Sequence, residues 1–259
     1  DAEMIRYSTR KTFLAVSEYL QYMPNLSAIL EKRPDVKKAI TMPDGKIWSL
    51  PRVEEMGLVM HPNLFFMNKN WLLKLVNDGS INFLKASDVK DGLDLTVDQL
   101  GQILEYFKGD MNGNGKSDEI PLNFVYNNYF QGNQADLYAA FGFPANVDFR
   151  TVIDGKVTNM AVLDEYYQAV NYYADWVQRK LIPTNVFENS EETFLASGKG
   201  VEKLGAFYWW EAETVVEHPE NYIYLNPLIG PNGDQMVGLS NSPEISKCLA
   251  VVFANCPNP

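Results

Sequence analysis

Ten consecutive residues carry the sharpest chemistry in this chain: Asp110-Met111-Asn112-Gly113-Asn114-Gly115-Lys116-Ser117-Asp118-Glu119. Side-chain oxygens recur at the alternate positions 110, 112 and 114, then at 118 and 119, with Gly115 placed where the chain must reverse. That spacing builds a cage for a hard cation, since calcium takes roughly six to eight oxygens at about 2.3–2.6 Å. Asp110, Asn112, Asn114, Asp118 and Glu119 offer side-chain oxygens, and the carbonyl of Lys116 offers one more. The loop departs from an EF-hand: its twelfth position is Pro121, and a strand-like segment follows where a helix would stand. Magnesium fits less well, because rigid octahedral coordination rarely uses so many protein ligands. The expected role is to stiffen a loop, not to activate water. A bare Asn/Gly-rich turn is the plain alternative.

Other chemistries find little support. Glu211 and Glu213 are the one pair of acids beside a tryptophan run, which keeps a glycoside hydrolase open as an alternative. The two histidines, His61 and His218, sit in no nucleophile pattern, and there is no Gly-x-Ser-x-Gly elbow. Glu213, Glu217 and His218 could meet at a transition metal, though a solvated loop explains them better. No Gly-x-Gly-x-x-Gly or Walker loop is present. Twenty-two Lys and Arg against 33 Asp and Glu leave a net charge of -11, which argues against a nucleic-acid partner. It suits a neutral or cationic ligand, bound cations or simply a solvated acidic surface. Cys248 and Cys256 are too few for a disulfide framework and match no zinc spacing, so two free thiols are expected. No run approaches the roughly 18 apolar residues of a membrane helix.

The elements that must position the loop alternate between strand and helix, an α/β pattern. Phe13, Leu14, Val16, Tyr19, Leu20 and Met23 fall at helical spacing up to Pro24. Further helices are expected over 27–31 and 34–40, and residues 39–50 read as a hairpin through Pro43-Asp44-Gly45. A strand over 64–68 leads into a helix over 69–75. Thr96 and Gln99 form a capping box for a helix over 97–107 that runs into the loop. Strands are expected over 120–125, 204–208 and 222–225, a short helix over 137–141, and a hairpin at Asp154-Gly155. Residues 162–181 form the clearest amphipathic helix, ended by Pro183.

With the loop placed, an ordered series of segments resembles the extracellular solute-binding proteins of bacterial ABC importers, carbohydrate-type family 1. The series is Lys37 to Arg52, Leu64 to Leu72, the 96–107 helix with its loop, Asp154 to Val157, Tyr172 to Pro183, and Gly205 to Tyr208. It is also similar to the alginate-binding members, whose calcium ligands would fall here on Asp110, Asn112, Asn114, the Lys116 carbonyl, Asp118 and Glu119. The resemblance implies a class II periplasmic-binding-like fold, two α/β lobes joined by hinge strands, with one lobe incomplete. Residues 1–62 and 229–259 would belong to lobe one and 63–228 to lobe two. It further implies a longer, lipid-anchored protein outside the cell or in the periplasm, monomeric, that hands its ligand to a membrane permease and catalyses nothing.

Sugars are amphipathic, so their sites pair flat aromatic faces with planar polar groups. Aromatics are 13% of the chain, and most must be core. Tyr208-Trp209-Trp210-Glu211 should stand at the C-terminal end of a buried strand, where α/β proteins bind ligands. Alternation sends Trp209 and Trp210 to opposite sides, so one of them is expected to face the ligand, with Glu211 accepting hydroxyl protons. Trp48 and Arg52 lie before the expected hinge. Tyr126, Asn127, Asn128 and Tyr129 form a polar-aromatic cluster after the loop's strand. The expected ligand is an oligosaccharide. A calcium-stiffened adhesion or scaffold module with no small-molecule affinity is the alternative of a different class.

Overall fold

The computed structural model describes residues 2–10, 12–54, 63–239 and 244–257. In chain order the helices and strands are α1 (Ala2–Thr9), α2 (Pro24–Lys32), α3 (Pro34–Ile40), β1 (Leu50–Val53), β2 (Leu64–Asn68), α4 (Lys69–Asn77), α5 (Val97–Phe107), β3 (Ile120–Asn123), α6 (Ala135–Ala139), β4 (Arg150–Ile153), β5 (Lys156–Asn159), α7 (Asp164–Gln178), α8 (Glu191–Ser197), β6 (Leu204–Trp209), β7 (Tyr222–Leu225) and β8 (Ile245–Ala250). They form two units, Asp1–Val59 with Pro243–Pro259, and Met60–Ser242. Segments 55–62 and 240–243, with the expected hinge strands and His61, lie outside the described residues.

In the first unit β1 pairs antiparallel with β8, with an irregularity between Leu50 and Arg52. Pro24 and Pro34 open α2 and α3, positions where a missing N–H costs nothing. Val16, Leu30, Val36, Ile40 and Ile47 make the core beneath them. The helix expected over 13–23 is absent. Phe13 instead bridges to Phe253, the Leu14 amide donates to the Val252 carbonyl at 2.8 Å, and only two 3-10 turns follow. The hairpin expected over 39–50 reduces to one bridge, Thr41 to Ile47. Cys248 and Cys256 are free thiols.

The second unit is built on a four-stranded sheet in the order β3-β6-β2-β7. β2 runs antiparallel to both β6 and β7, whereas β3 runs parallel to β6. Three strands, β3, β6 and β7, therefore point their C-terminal ends the same way. Period-two alternation splits their side chains between two cores. Phe65, Met67, Tyr208 and Ile223 pack with α4, α5 and α7 on one face; Phe66, Phe207 and Trp209 pack with Phe194 and Val215 on the other. Directly opposed rings stack across the strands, Phe65 on Tyr208 at 4.4 Å and Phe66 on Phe207 at 5.3 Å.

The capping box forms as the sequence dictates: the Gln99 amide donates to Thr96 Oγ1 at 3.1 Å and the Thr96 amide to Gln99 Oε1 at 3.0 Å. Leu100, Ile103, Leu104 and Phe107 of α5 are wholly buried, each contributing about 1.5–3 kcal/mol of apolar burial. That anchors the helix whose end delivers the acidic loop. Residues 229–239, read from sequence as part of the return to the first lobe, instead hold to the second unit. Ile229 bridges to Thr96 and the Leu239 amide donates to the Ala145 carbonyl at 2.7 Å. That pairing is long-range, so no local pattern announces it.

Candidate cation loop and ligand-binding face

The acidic loop spans the gap between α5 and β3. Asp110 folds inward because its carboxylate accepts the Asn114 amide at 2.9 Å and the Gly115 amide at 2.9 Å. Gly113 and Gly115 have φ of 74° and 80°, the left-handed region that lets the chain reverse there. Glu119 Oε1 accepts the Met111 and Asn112 amides at 2.7 and 3.1 Å, while its buried Oε2 has no hydrogen-bond partner. Asp118 Oδ1 accepts Asn114 Nδ2 at 3.1 Å, and Oδ2 sits 2.6 Å from Lys203 Nζ. The Lys203 ammonium foremost, then the Asn114 amide, holds the Asp118 carboxyl below its ordinary pKa. The Lys116 amide is spent on Asn114 Oδ1 at 2.8 Å.

This donor set fits a hard cation. It is all oxygen, it carries three carboxylates along one reversing loop, and Glu119 Oε2 is a buried acceptor with no hydrogen-bond partner. Among the described residues, no three His, Cys, Asp or Glu side chains stand grouped as a metal cluster. A cage here would therefore draw on the amide oxygens of Asn112 and Asn114 and on the Lys116 carbonyl. His218 pairs with Glu220 at 3.2 Å on an exposed turn, away from any such grouping.

The second site is the end of the sheet where β6 and β7 finish and β2 begins. A cavity of about 270 Å³ opens there, with Asn63, Asp136, Tyr208, Tyr224 and Asn226 in its wall. Asn63 Nδ2 donates to Asp136 Oδ2 at 2.8 Å, Asn63 Oδ1 accepts the Gly132 amide at 2.6 Å, and Asp136 Oδ1 accepts the Gly238 amide at 2.7 Å. Asn226 Nδ2 donates to the Gly92 carbonyl at 2.8 Å and to Asp94 at 2.9 Å. Sequence reasoning missed this wall. The one local signal was Tyr224, which alternates with the buried Ile223 and Leu225 and so had to point outward.

The residues expected to touch ligand divide. Trp210 is 51% exposed where β6 ends, and Glu211 and Glu213 are exposed beside it. Trp209 is the inward one of the pair and leaves the candidate ligand contacts: it is 2% exposed, 5.1 Å from the Phe194 ring and against Gly132, whose missing Cβ would lie 2.4 Å from the indole. α8 and residues 212–216 cover that face of the sheet, so Trp209 is core. Trp48 is also core, packed with Met4 and Ala15, and its indole N–H donates to Asp44 at 2.9 Å. Arg52 is exposed on β1. Asn127 and Asn128 hold their own loop: the Asn127 amide and Oδ1 face the Gln134 carboxamide at 2.9 and 2.5 Å, and Asn128 Oδ1 accepts the Phe130 amide at 3.1 Å. Tyr129 is exposed. Tyr126 meets Phe187 edge-on at 4.9 Å and, with Tyr138 and Tyr166, lines a second cavity of about 190 Å³.

Comparison with known proteins gives this geometry a context. No protein-family model matches the chain. The fructooligosaccharide ABC transporter substrate-binding protein FusA of Streptococcus pneumoniae serotype 4 is 34% identical over 253 residues, 93% of this chain and 43% of its own length. Solved structures of S. pneumoniae FusA with kestose, and of its EF-hand mutant with fructo-nystose, superpose with TM-scores of 0.77 and 0.76 at 30% identity. Each alignment covers 97% of this chain and 50% of the FusA chain. An HMO-binding solute-binding protein of Bifidobacterium longum infantis (TM-score 0.66, 21% identity, 97% of this chain and 51% of that one) shares the fold. So does alginate-binding AlgQ2 (TM-score 0.61, 18% identity, 99% and 50%). The chain spans about half the length of the relatives it matches. The architecture is periplasmic-binding-like, and the chain is similar, over nearly all of its own length, to about half of an ABC transporter substrate-binding protein.

Proposed function

We propose that this chain is part of a solute-binding protein that captures an oligosaccharide outside the cell and passes it to the membrane permease of an ABC importer. The observation that carries the reading is the likeness to FusA over 93% of this chain, beside a sheet end that bears Trp210, Tyr224 and the Asn63–Asp136 wall. FusA structures hold kestose and fructo-nystose, so a fructo-oligosaccharide is the ligand to test first. Trp210 offers a flat apolar face, and Glu211, Tyr126 and Tyr129 offer hydroxyl partners. The two units would be parts of the two lobes. Ligand favours the shut form in proportion to its preference for it, and the shut form docks on the permease. The Asp110–Glu119 loop would hold one calcium through Asp110, Asn112, Asn114, the Lys116 carbonyl, Asp118 and Glu119, stiffening the link between α5 and β3. The protein acts as a monomer, lipid-anchored outside the cell. Among the described residues, no helix is long and apolar enough to cross a membrane.

A thermal-shift panel of kestose, nystose, maltotriose, peptides and polyamines tests the reading. Ligand at about 100 times its Kd adds ~2.7 kcal/mol to the native state, so fructo-oligosaccharides should raise the midpoint and be recovered intact. Release of reducing ends would favour a glycosidase, and silence across the panel would favour a scaffold.

A further inference from the structure

We propose that Lys203 is a built-in competitor for the cation loop: its ammonium occupies Asp118 when no divalent ion does, and so sets how tightly the loop takes one. The inference rests on reading that loop as a calcium site. The main chain around Lys203 is fixed from several sides. Its carbonyl accepts the Ile120 amide at 2.8 Å, and the neighbouring Glu202 carbonyl accepts Asn112 Nδ2 at 3.0 Å. The Glu202 carboxylate is held in turn by Asn68 and Asn221 at 2.7 and 2.8 Å. Only the flexible lysine stem is left to move.

Asp110 and Glu119 accept backbone amides from within the loop, which leaves lone pairs for a metal, since a carboxylate has about four acceptor sites. Asp118 differs. One oxygen takes Asn114 Nδ2 at 3.1 Å and the other a full positive charge at 2.6 Å. A divalent ion and an ammonium repel one another across a shared carboxylate, so calcium entry is opposed while Nζ stays on Oδ2 and favours its departure. The side chains of Lys203 and Asp118 are each 35% exposed. Water can therefore receive the lysine at small cost, and the pair tunes affinity without blocking the site.

The test is calorimetric titration of calcium into chelator-stripped protein for wild type, Lys203→Met, Lys203→Gln and Lys203→Arg, with circular dichroism to show each is folded. Met and Gln remove the competing charge and should bind calcium ~3–10-fold more tightly, from the exposed-pair strength plus the repulsion relieved. Arg keeps the charge and should stay on the wild-type side of that gap. Met and Gln variants that bind no tighter than wild type overturn the proposal and make Lys203 a prop for the loop. A wild type that takes no calcium removes the cation reading itself, and this inference with it.

Discussion

Trp209 and Trp210 are neighbours in sequence with opposite fates, and substituting each in turn separates core from ligand surface. Trp209 is 2% exposed, wedged between Phe194 and the backbone at Gly132. Truncation to alanine forfeits the transfer energy of the indole and leaves a cavity that rigid neighbours cannot fill, a loss of about 3–5 kcal/mol. With a urea m-value of about 2 kcal/mol/M, the unfolding midpoint should fall by roughly 2 M. Such a loss is a large share of typical domain stability, so Trp209→Phe, which keeps a ring against Phe194, serves as the milder companion and should lose less. Trp210→Ala removes a side chain already 51% in water and should stay within about 0.5 kcal/mol of wild type. Far-UV circular dichroism in urea reads all three without relying on the altered fluorophore. If Trp209→Ala unfolds within about 0.5 kcal/mol of wild type, or if both alanine variants lose equally, the assignment of the two rings is refuted.

Gly205→Ala should cost about 1–3 kcal/mol by overpacking, because a Cβ there meets Phe107 Cδ2 at 2.4 Å and the Pro121 carbonyl at 2.8 Å; an unchanged melting midpoint counts against the packing of α5 on β6. Thr96→Ala removes the Oγ1 acceptor of the α5 capping box, leaving only the backbone arm to Gln99, and should lower stability by ~1 kcal/mol, with Thr96→Ser restoring most of it in the same melt. Lys203 holds the Asp118 carboxyl below its ordinary pKa, so in that range the unfolded state binds more protons and stability rises with pH. In chelator, the stability gap between wild type and Asp118→Asn should therefore be full near neutrality and shrink as pH falls through about 4 and below. A gap that stays constant from pH 7 to pH 3 would show that the ion pair contributes nothing.

What the sequence made legible was local. The Thr96–Gln99 box, the Asp154-Gly155 turn and α7 are each specified by residues within a few positions of one another, and each stands as read; the reversal of the acidic loop at Gly113 and Gly115 is local in the same way. The failures share a cause: packing and hydrogen-bond partners that no periodic pattern encodes, whether near or far along the chain. Phe13, Leu14 and Val16 carry helical spacing, yet Phe253 and Val252, some 240 residues later, draw them into bridges that a helix cannot make. Alternation rightly parted Trp209 from Trp210, but which one faced a core depended on α8 and residues 212–216 folding over that face. The wall of the sheet-end cavity joins Asn63, Asp136 and Tyr224 from three distant segments, so only the outward-pointing Tyr224 hinted at it. Asn127 and Asn128 looked free for hydroxyls because their real occupant, the loop out to Gln134, is built only when that loop closes.

Capture of an oligosaccharide at the sheet end is tested most directly through the indole that stands there. Of the five tryptophans, Trp48, Trp71, Trp176 and Trp209 are each 9% exposed or less, which leaves Trp210 as the solvent-facing reporter. Titrating kestose or nystose into the protein should change tryptophan emission saturably, and the response should vanish in Trp210→Ala while that variant keeps its fold. Emission that stays flat to the solubility limit of every sugar tried, or a response that persists undiminished without Trp210, would contradict the account.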